Sequence, residues 1–314
     1  MKKALIIGID GYPKAPLKGC VRDATAFGSI IEKNGDGSPN FSVELITDAD
    51  GHTKKGVLKG KIINLFDGEV DTALLYFSGH GNVYEVGGYL ITPDATENDE
   101  GVSMQEILTL ANKSKARNRI IILDCCNSGA FGNPTTDETK TAIKEGVTIL
   151  AACRREESAI ELDGHGLFTS LLLDALSGGS ADVLGRITPG SLYSYVDISL
   201  GPWNQRPIFK TNISSFTCIR QVTPKVPIEV LRKISQYFPA AEQEYELDPS
   251  YEDTDPSNKP ENVAVFKDLQ KLQSAGLVVP VDADFMYFAA INSKSCRLTA
   301  TGQLYWQLSV DEKI

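Results

Sequence analysis

Thr72-Ala73-Leu74-Leu75-Tyr76-Phe77-Ser78-Gly79-His80-Gly81 is a short apolar run that ends in a histidine between two glycines. A run of this length and character reads as a strand buried on both faces, with the histidine just past its end. The pattern recurs downstream in Ile120-Ile121-Ile122-Leu123-Asp124-Cys125-Cys126-Asn127-Ser128-Gly129, where the residues past the strand are cysteines. Parallel strands open their working edge at their carboxyl ends, so two neighbouring strands of this kind bring an imidazole and a thiol to one edge of a sheet.

That pairing has a chemistry. A free thiol is only slightly ionised near neutral pH, and the thiolate is the nucleophile. A nearby imidazole can take the thiol proton and later return a proton to a leaving amine. Gly79 and Gly81 are expected to let the backbone turn tightly around His80 and approach a substrate. The amides of Gly81 and Cys126 are candidate donors to a developing oxyanion. Taken singly, a Gly-His-Gly reads as a turn with a hydrogen-bonded histidine, and a cysteine pair as inert core. Taken together, in this order and after strands, they read as a Cys–His hydrolase.

Here the chain resembles the caspase-like clan of cysteine proteases, and within it the metacaspase and bacterial caspase-like branch. Ser78-Gly79-His80-Gly81 resembles the family's histidine motif, and Asp124 to Gly129 its cysteine motif, usually Asp-Ser-Cys-His-Ser-Gly. The resemblance makes Cys126, not Cys125, the nucleophile. Cys125 in place of Ser and Asn127 in place of His are departures at positions that do not perform the chemistry. Leu17-Lys18-Gly19-Cys20-Val21-Arg22-Asp23-Ala24 resembles the segment after the first strand. In metacaspases the aspartates matching Asp23 and Asp124 floor the S1 pocket, which implies cleavage of protein or peptide substrates after Arg or Lys at P1. Further pieces follow in family order: Thr148 to Cys153 with Glu157-Ser158-Ala159, Gly164 to Thr169, and Asn204 to Phe209. The resemblance thus covers roughly residues 1–220. His165 lies in a second Gly-His-Gly, but it opens a helix without a paired cysteine motif and reads as a structural turn residue.

Composition narrows the alternatives. At 314 residues the chain makes one large or two ordinary domains, and a 42% hydrophobic content is enough for a packed core. No apolar run approaches the roughly 20 residues that span a bilayer, and Asp10 interrupts the apolar start too early for a signal peptide. A cytoplasmic protein without membrane association is expected. Six scattered cysteines, without a Cys-x-x-Cys, support neither a disulfide framework nor a zinc site. The net charge of −10 argues against nucleic acid as a partner and suits an enzyme that attracts basic segments.

Strands are expected over residues 4–10, 41–47, 72–77, 120–123, 147–152 and 207–213. Helices are expected over 24–33, from a Thr53 cap to 66, over 103–111, 167–177 and 189–200. This alternation predicts an α/β fold, a caspase-like, mostly parallel six-stranded sheet flanked by helices, as the protease domain over 1–222. Residues 131–145 read as a loop in which Lys140 and Lys144 are candidate self-cleavage points. After Pro224 and Pro227 the pattern changes. Helices at 228–238 and 263–275, a hairpin from 286–291 and 296–298, and a last helix capped by Thr299 or Thr301 resemble a winged-helix-like α+β domain over 225–314. Its nine basic and fourteen acidic residues make it a poor DNA reader, so it reads as a sensor or docking domain. The acidic run 242–255 reads as a solvated loop, with a weak calcium site as the alternative.

The expected protein is therefore a cysteine endopeptidase gated by its C-terminal domain. No cofactor is required; Ca²⁺, a nucleotide or a protein are the candidate activators at that domain. By resemblance alone, the setting is bacterial stress or antiphage defence. The competing readings are a non-catalytic caspase-like scaffold, which a missing His80 or Cys126 would favour, and a winged-helix regulator with a vestigial enzyme domain.

Overall fold

A computed structural model of the chain describes residues 1–48, 52–84, 87–97, 99–125, 143–152, 161–162, 165–201 and 206–314. The elements of the first part run β1 (Lys2–Gly8), α1 (Cys20–Glu32), β2 (Phe41–Thr47), α2 (Lys55–Phe66), β3 (Thr72–Ser78), β4 (Gly81–Tyr84), β5 (Gly87–Thr96), β6 (Asp99–Ser103), α3 (Met104–Lys113), β7 (Asn118–Asp124) and β8 (Val147–Ala151). They continue through the short pair β9 (Glu161–Leu162) and β10 (His165–Gly166), then α4 (Leu167–Asp174), β11 (Arg186–Ile187), α5 (Pro189–Leu200), β12 (Ile208–Asn212) and β13 (Arg220–Gln221).

The main sheet has six strands in the order β12-β8-β7-β3-β1-β2. All neighbours are parallel except β12, which lies antiparallel to β8 at the edge. The expected α/β architecture is the observed one. Its cause is legible in the alternation of side chains across the strands. Leu75 and Phe77 of β3 and Ile121 and Leu123 of β7 join one core with Leu58 and Ile62 of α2 and Ile107 and Leu108 of α3. Leu74 and Tyr76, with Ile120 and Ile122, join the opposite core with Phe27 of α1 and Phe168 and Leu172 of α4. Strands buried on both faces in this way must be apolar throughout, which is why they read as unbroken hydrophobic runs.

Local signals explain several boundaries. Ser103 caps α3 by accepting from the Glu106 amide, and Thr188 and Ser191 form a capping box before Pro189 at the start of α5. Thr53, expected to cap α2, does not: the cap position is Lys54, with no side-chain bond. The helix expected over 167–177 is α-helical only to Asp174 and then widens into a π turn over Ala175–Gly179. The antiparallel sheet β4-β5-β6 was not expected from the sequence and proves important below.

Contacts divide the chain into two compact units, Met1–Ala181 with Arg186–Val222, and Asp182–Gly185 with Thr223–Ile314. The second unit contains α6 (Ile228–Arg232), α7 (Ile234–Tyr237), β14 (Tyr245–Glu246), α8 (Pro260–Ser274), β15 (Val278–Val281), α9 (Met286–Ile291), β16 (Ser295–Leu298) and α10 (Ala300–Val310). It differs from expectation in three places. The helix expected over 228–238 is two short ones. Residues 286–291 form a helix, because Met286, Ala289 and Ala290 are the buried ones and lie at helical spacing. The hairpin is β15 with β16, flanked by β14 in a three-stranded antiparallel sheet. Thr299 does cap the last helix, accepting from the Gly302 amide at 3.0 Å.

Candidate active site

The register of β3 on β7 ends at the pair Ser78 and Asp124, and the Gly79 amide donates to the Asp124 carbonyl at 3.3 Å. The histidine and cysteine motifs therefore leave the sheet from adjacent strands at their carboxyl ends, two residues before His80 and Cys126 in the sequence. Cys126 and Lys140 lie outside the described residues. Lys144 is exposed, and its amide donates to the Asn112 side chain at 2.9 Å. Cys125, the other thiol of the motif, is 1% exposed and packed in the core against α2 and α3, where no substrate reaches it.

His80 is held from two directions. Its Nε2 lies 2.7 Å from the Ala15 carbonyl. A carbonyl oxygen only accepts, so Nε2 carries the proton and Nδ1 is left as the basic nitrogen. Its backbone amide donates to the Tyr12 hydroxyl at 3.0 Å, and that hydroxyl donates to the Ile91 carbonyl at 3.2 Å. The Tyr12 and His80 rings also meet, with centroids 4.6 Å apart. Burial pushes the Tyr12 phenol well above its usual range, so the group stays a neutral hydroxyl able to donate and accept at once. The loop bearing Tyr12 and Ala15 is itself tied down. Asp48 accepts from the amides of Asp10 and Gly11 at 2.6 and 2.7 Å, while Asp10 accepts from the Cys20 amide at the start of α1 at 2.9 Å.

The flanking glycines work differently from expectation. Neither Gly79 nor Gly81 has a positive φ, so neither supplies a turn that other residues refuse. Gly79 is needed for close approach: a Cβ there would lie 2.5 Å from the Tyr12 hydroxyl and 2.9 Å from the Phe77 ring. Gly81 begins β4 opposite Leu90, and the Ile91 amide donates to the His80 carbonyl. In an antiparallel ladder hydrogen-bonded pairs alternate with non-bonded ones, so the Gly81 amide points away from β5. That direction suits a donor to a substrate.

Asp23 and Asp124 are brought together. Asp23 from α1 and Asp124 from the end of β7 are 1% and 5% exposed. The Gly166 amide donates to Asp23 Oδ2 at 2.7 Å, and the Thr169 hydroxyl donates to Asp124 Oδ2 at 2.6 Å. Thr169 has its proton on Asp124, so the Tyr76 hydroxyl, 2.5 Å away, is the donor to Thr169. Burial, with the charges of Asp124 and Asp23 behind it, pushes the Tyr76 phenol well up and keeps that donor protonated. Gly166 sits between the carboxylates. A Cβ there would overlap Asp124 Oδ2 and lie 3.1 Å from Asp23 Oδ2.

His165 pairs with Leu162 in the short β9–β10 ladder, immediately before α4. Most carboxylates of the run 242–255 have partners within the second unit. Asp248 caps a turn through the Ser250 amide, Asp255 takes the Ser257 amide and hydroxyl, and Asp253 pairs with Lys267. Among the described residues no group of three or more His, Cys, Asp or Glu is arranged to hold a metal ion, and no helix is long and apolar enough to cross a membrane.

The strand order, the two motifs at adjacent strand ends and the paired aspartates agree with one family, the Caspase domain family, which matches residues 1–216. The chain belongs to that family of cysteine peptidases. Its fold is similar to protein GSU0716 of Geobacter sulfurreducens, at 17% identity and a TM-score of 0.53 over 71% of this chain and 98% of the other. It is also similar to caspase-1 of Spodoptera frugiperda, at 12% identity and a TM-score of 0.53 over 70% and 92%. No curated protein matches the chain.

Sequence reasoning missed three contributors. Ala15 acts through a backbone carbonyl, which no side-chain pattern announces. Tyr12 and Thr169 are ordinary core residues by type, and only the buried partners of their hydroxyls give them away.

Proposed function

We propose that this protein is a cysteine endopeptidase that cuts polypeptides after Arg or Lys. The observation that carries the reading is the convergence of two buried carboxylates on Gly166, beside the strand end that leads into the cysteine motif. Two like charges held together in a protein interior favour a cationic partner and repel an anionic one. A guanidinium or ammonium at P1 is that partner.

In the mechanism, His80 Nδ1 takes the proton of the Cys126 thiol. The sulfur attacks the scissile carbonyl carbon, and the oxyanion accepts from the amides of Gly81 and Cys126. Collapse breaks the C–N bond as the imidazolium gives its proton to the leaving amine. Water then attacks the thioester, with His80 as base, and releases the acid. The Ala15 carbonyl stabilises the imidazolium and fixes its ring, so the proton moves through one nitrogen only. Removing one oxyanion donor costs about 100- to 1,000-fold in rate.

Residues 225–314 are read as a winged-helix-like sensor or docking domain that keeps the enzyme inactive until a nucleotide messenger, a protein partner or Ca²⁺ arrives. Its acidic balance supports a role other than DNA reading. A cytoplasmic effector in bacterial stress or antiphage defence fits a gated protease. The test is a peptide-library digest with wild type, Cys126→Ala and His80→Ala, with and without Ca²⁺ and cell lysate. Cuts after Arg and Lys that both variants abolish are expected. Cutting that survives Cys126→Ala defeats the proposed mechanism. Full-length protein as active alone as with any addition defeats the gating.

A further inference from the structure

Next to His80, on the side away from the aspartates, lies a cavity of about 320 Å³. Among the described residues its walls include Tyr12, Pro13, Tyr84, Ile91, Pro93 and Ala95, with His80 among them. The walls come from the loop after β1 and from the sheet β4-β5. They lie on the face of the main sheet that packs α2 and α3, to which Tyr12 and Leu90 belong. The paired aspartates lie on the opposite face, with α1 and α4. His80 stands at the edge between the two.

From this placement we infer that the cavity is a leaving-group pocket that takes a bulky apolar side chain at P1′, of the Leu, Ile or Phe class. The inference rests on the assignment of P1 to the aspartates. A substrate with P1 on the α1 and α4 face has its scissile bond at the sheet edge. The imidazole that protonates the leaving amine must lie beside the P1′ nitrogen. His80 is that imidazole and also the wall of the cavity, so the first side chain past the cut emerges there. The lining is aromatic and aliphatic with few charges, and its volume is at the small end of ligand sites. Lys14 is the lysine of that lining and Asn82 and Thr92 its neutral polar members, so the larger aromatic and aliphatic part rewards one apolar side chain. The pocket also completes the division of labour around His80: charge selects the residue before the bond, and apolar surface the residue after it.

Two measurements on the full-length protein test this. In the first, peptides identical up to an Arg at P1 carry Leu, Phe, Gly or Asp at P1′. Leu and Phe should raise kcat/KM about 10- to 100-fold over Gly and Asp. Ala95→Phe, which fills the cavity, should bring the Phe:Gly ratio close to one. A wild-type preference flat within about 3-fold, or in favour of Gly or Asp, overturns the inference. In the second, the product-side dipeptide amides Phe-Gly and Gly-Gly are titrated onto the protein by NMR. Phe-Gly amide should shift the His80 ring proton and the Ile91 and Ala95 methyl signals, and Gly-Gly amide should not. Equal or absent shifts overturn the pocket whatever the cleavage data say. Selective shifts without any cutting after Arg uphold the pocket and count against the P1 assignment alone.

Discussion

Two acidic regions of this chain look alike in composition and differ in what they do. Asp23 and Asp124 are far apart in sequence, yet they meet in the interior around a glycine that leaves them room, Asp23 accepting from the Gly166 amide and Asp124 from the Thr169 hydroxyl. The run 242–255 is denser in carboxylates, but five of its seven, Glu244, Asp248, Glu252, Asp253 and Asp255, are each met by an amide, hydroxyl or lysine. Glu244, for instance, accepts from the Ser295 hydroxyl. Serine hydrogen bonds hold Asp248 and Asp255 below the usual carboxylate range, the mark of turn caps. Local charge density therefore says little about ligand binding. Convergence of groups from separate elements says more, because burying two charges together is costly and is tolerated where their field has a use.

The comparison breaks most directly at Gly166. Gly166→Ala pushes a methyl between the two carboxylates and should lower kcat/KM for a P1-Arg peptide by about 100-fold, measured by initial rates. Asp253→Asn in the acidic run should leave the same rate within about 2-fold, since an exposed ion pair contributes little. Thr169→Val removes the hydroxyl that donates to Asp124 and should cost about 10-fold, expressed mainly in KM, with most of it restored by Thr169→Ser. A Thr169→Ser variant as poor as Thr169→Val would show that shape, not the hydroxyl, matters there.

Tyr12→Phe removes the bridge between the His80 amide and the Ile91 carbonyl while keeping the ring. It should lower kcat by about 5-fold with KM nearly unchanged, since it loosens the imidazole and not the P1 contact. The smallest expected effect lies in the second unit. Burial works against the charge on Asp268, but hydrogen bonds from Tyr237 and Lys271 outweigh it and hold the carboxyl below its usual range. A depressed carboxyl stabilises the fold above its unfolded value of about 3.9, and this contribution fades as pH falls through the lower folded value. Asp268→Asn should therefore cost about 1 kcal/mol in thermal melts at pH 6 and progressively less below pH 4.

The main sheet was legible because its inner strands are buried on both faces and its helices on one. Residues 41–47 and 189–200 were bounded in the sequence as they stand in the structure, the first by alternation and the second by Pro189 at its start. The small sheet β4-β5-β6 was not legible, because residues 81–103 mix Gly, Asn and Pro with apolar positions and show no single period. Residues 286–291 misled through aromatic side chains that favour strands, whereas the buried face settles a helix. At the site, His80, Asp23, Asp124 and Gly81 were named from motif and resemblance, and the structure gives each described one a partner or a direction. The Ala15 carbonyl and the Tyr12 hydroxyl were illegible because their roles depend on which segments a fold brings together. The sequence boundary at 222 also misses Asp182–Gly185, whose Val183 and Leu184 pack in the core of the second unit.

The most direct test of an anionic P1 site is the ratio of kcat/KM for two peptides that differ only in Arg or Asp at P1, measured on the full-length protein under whatever condition activates it. A pocket floored by Asp23 and Asp124 predicts a ratio of at least about 100 in favour of Arg. A ratio below one would contradict it.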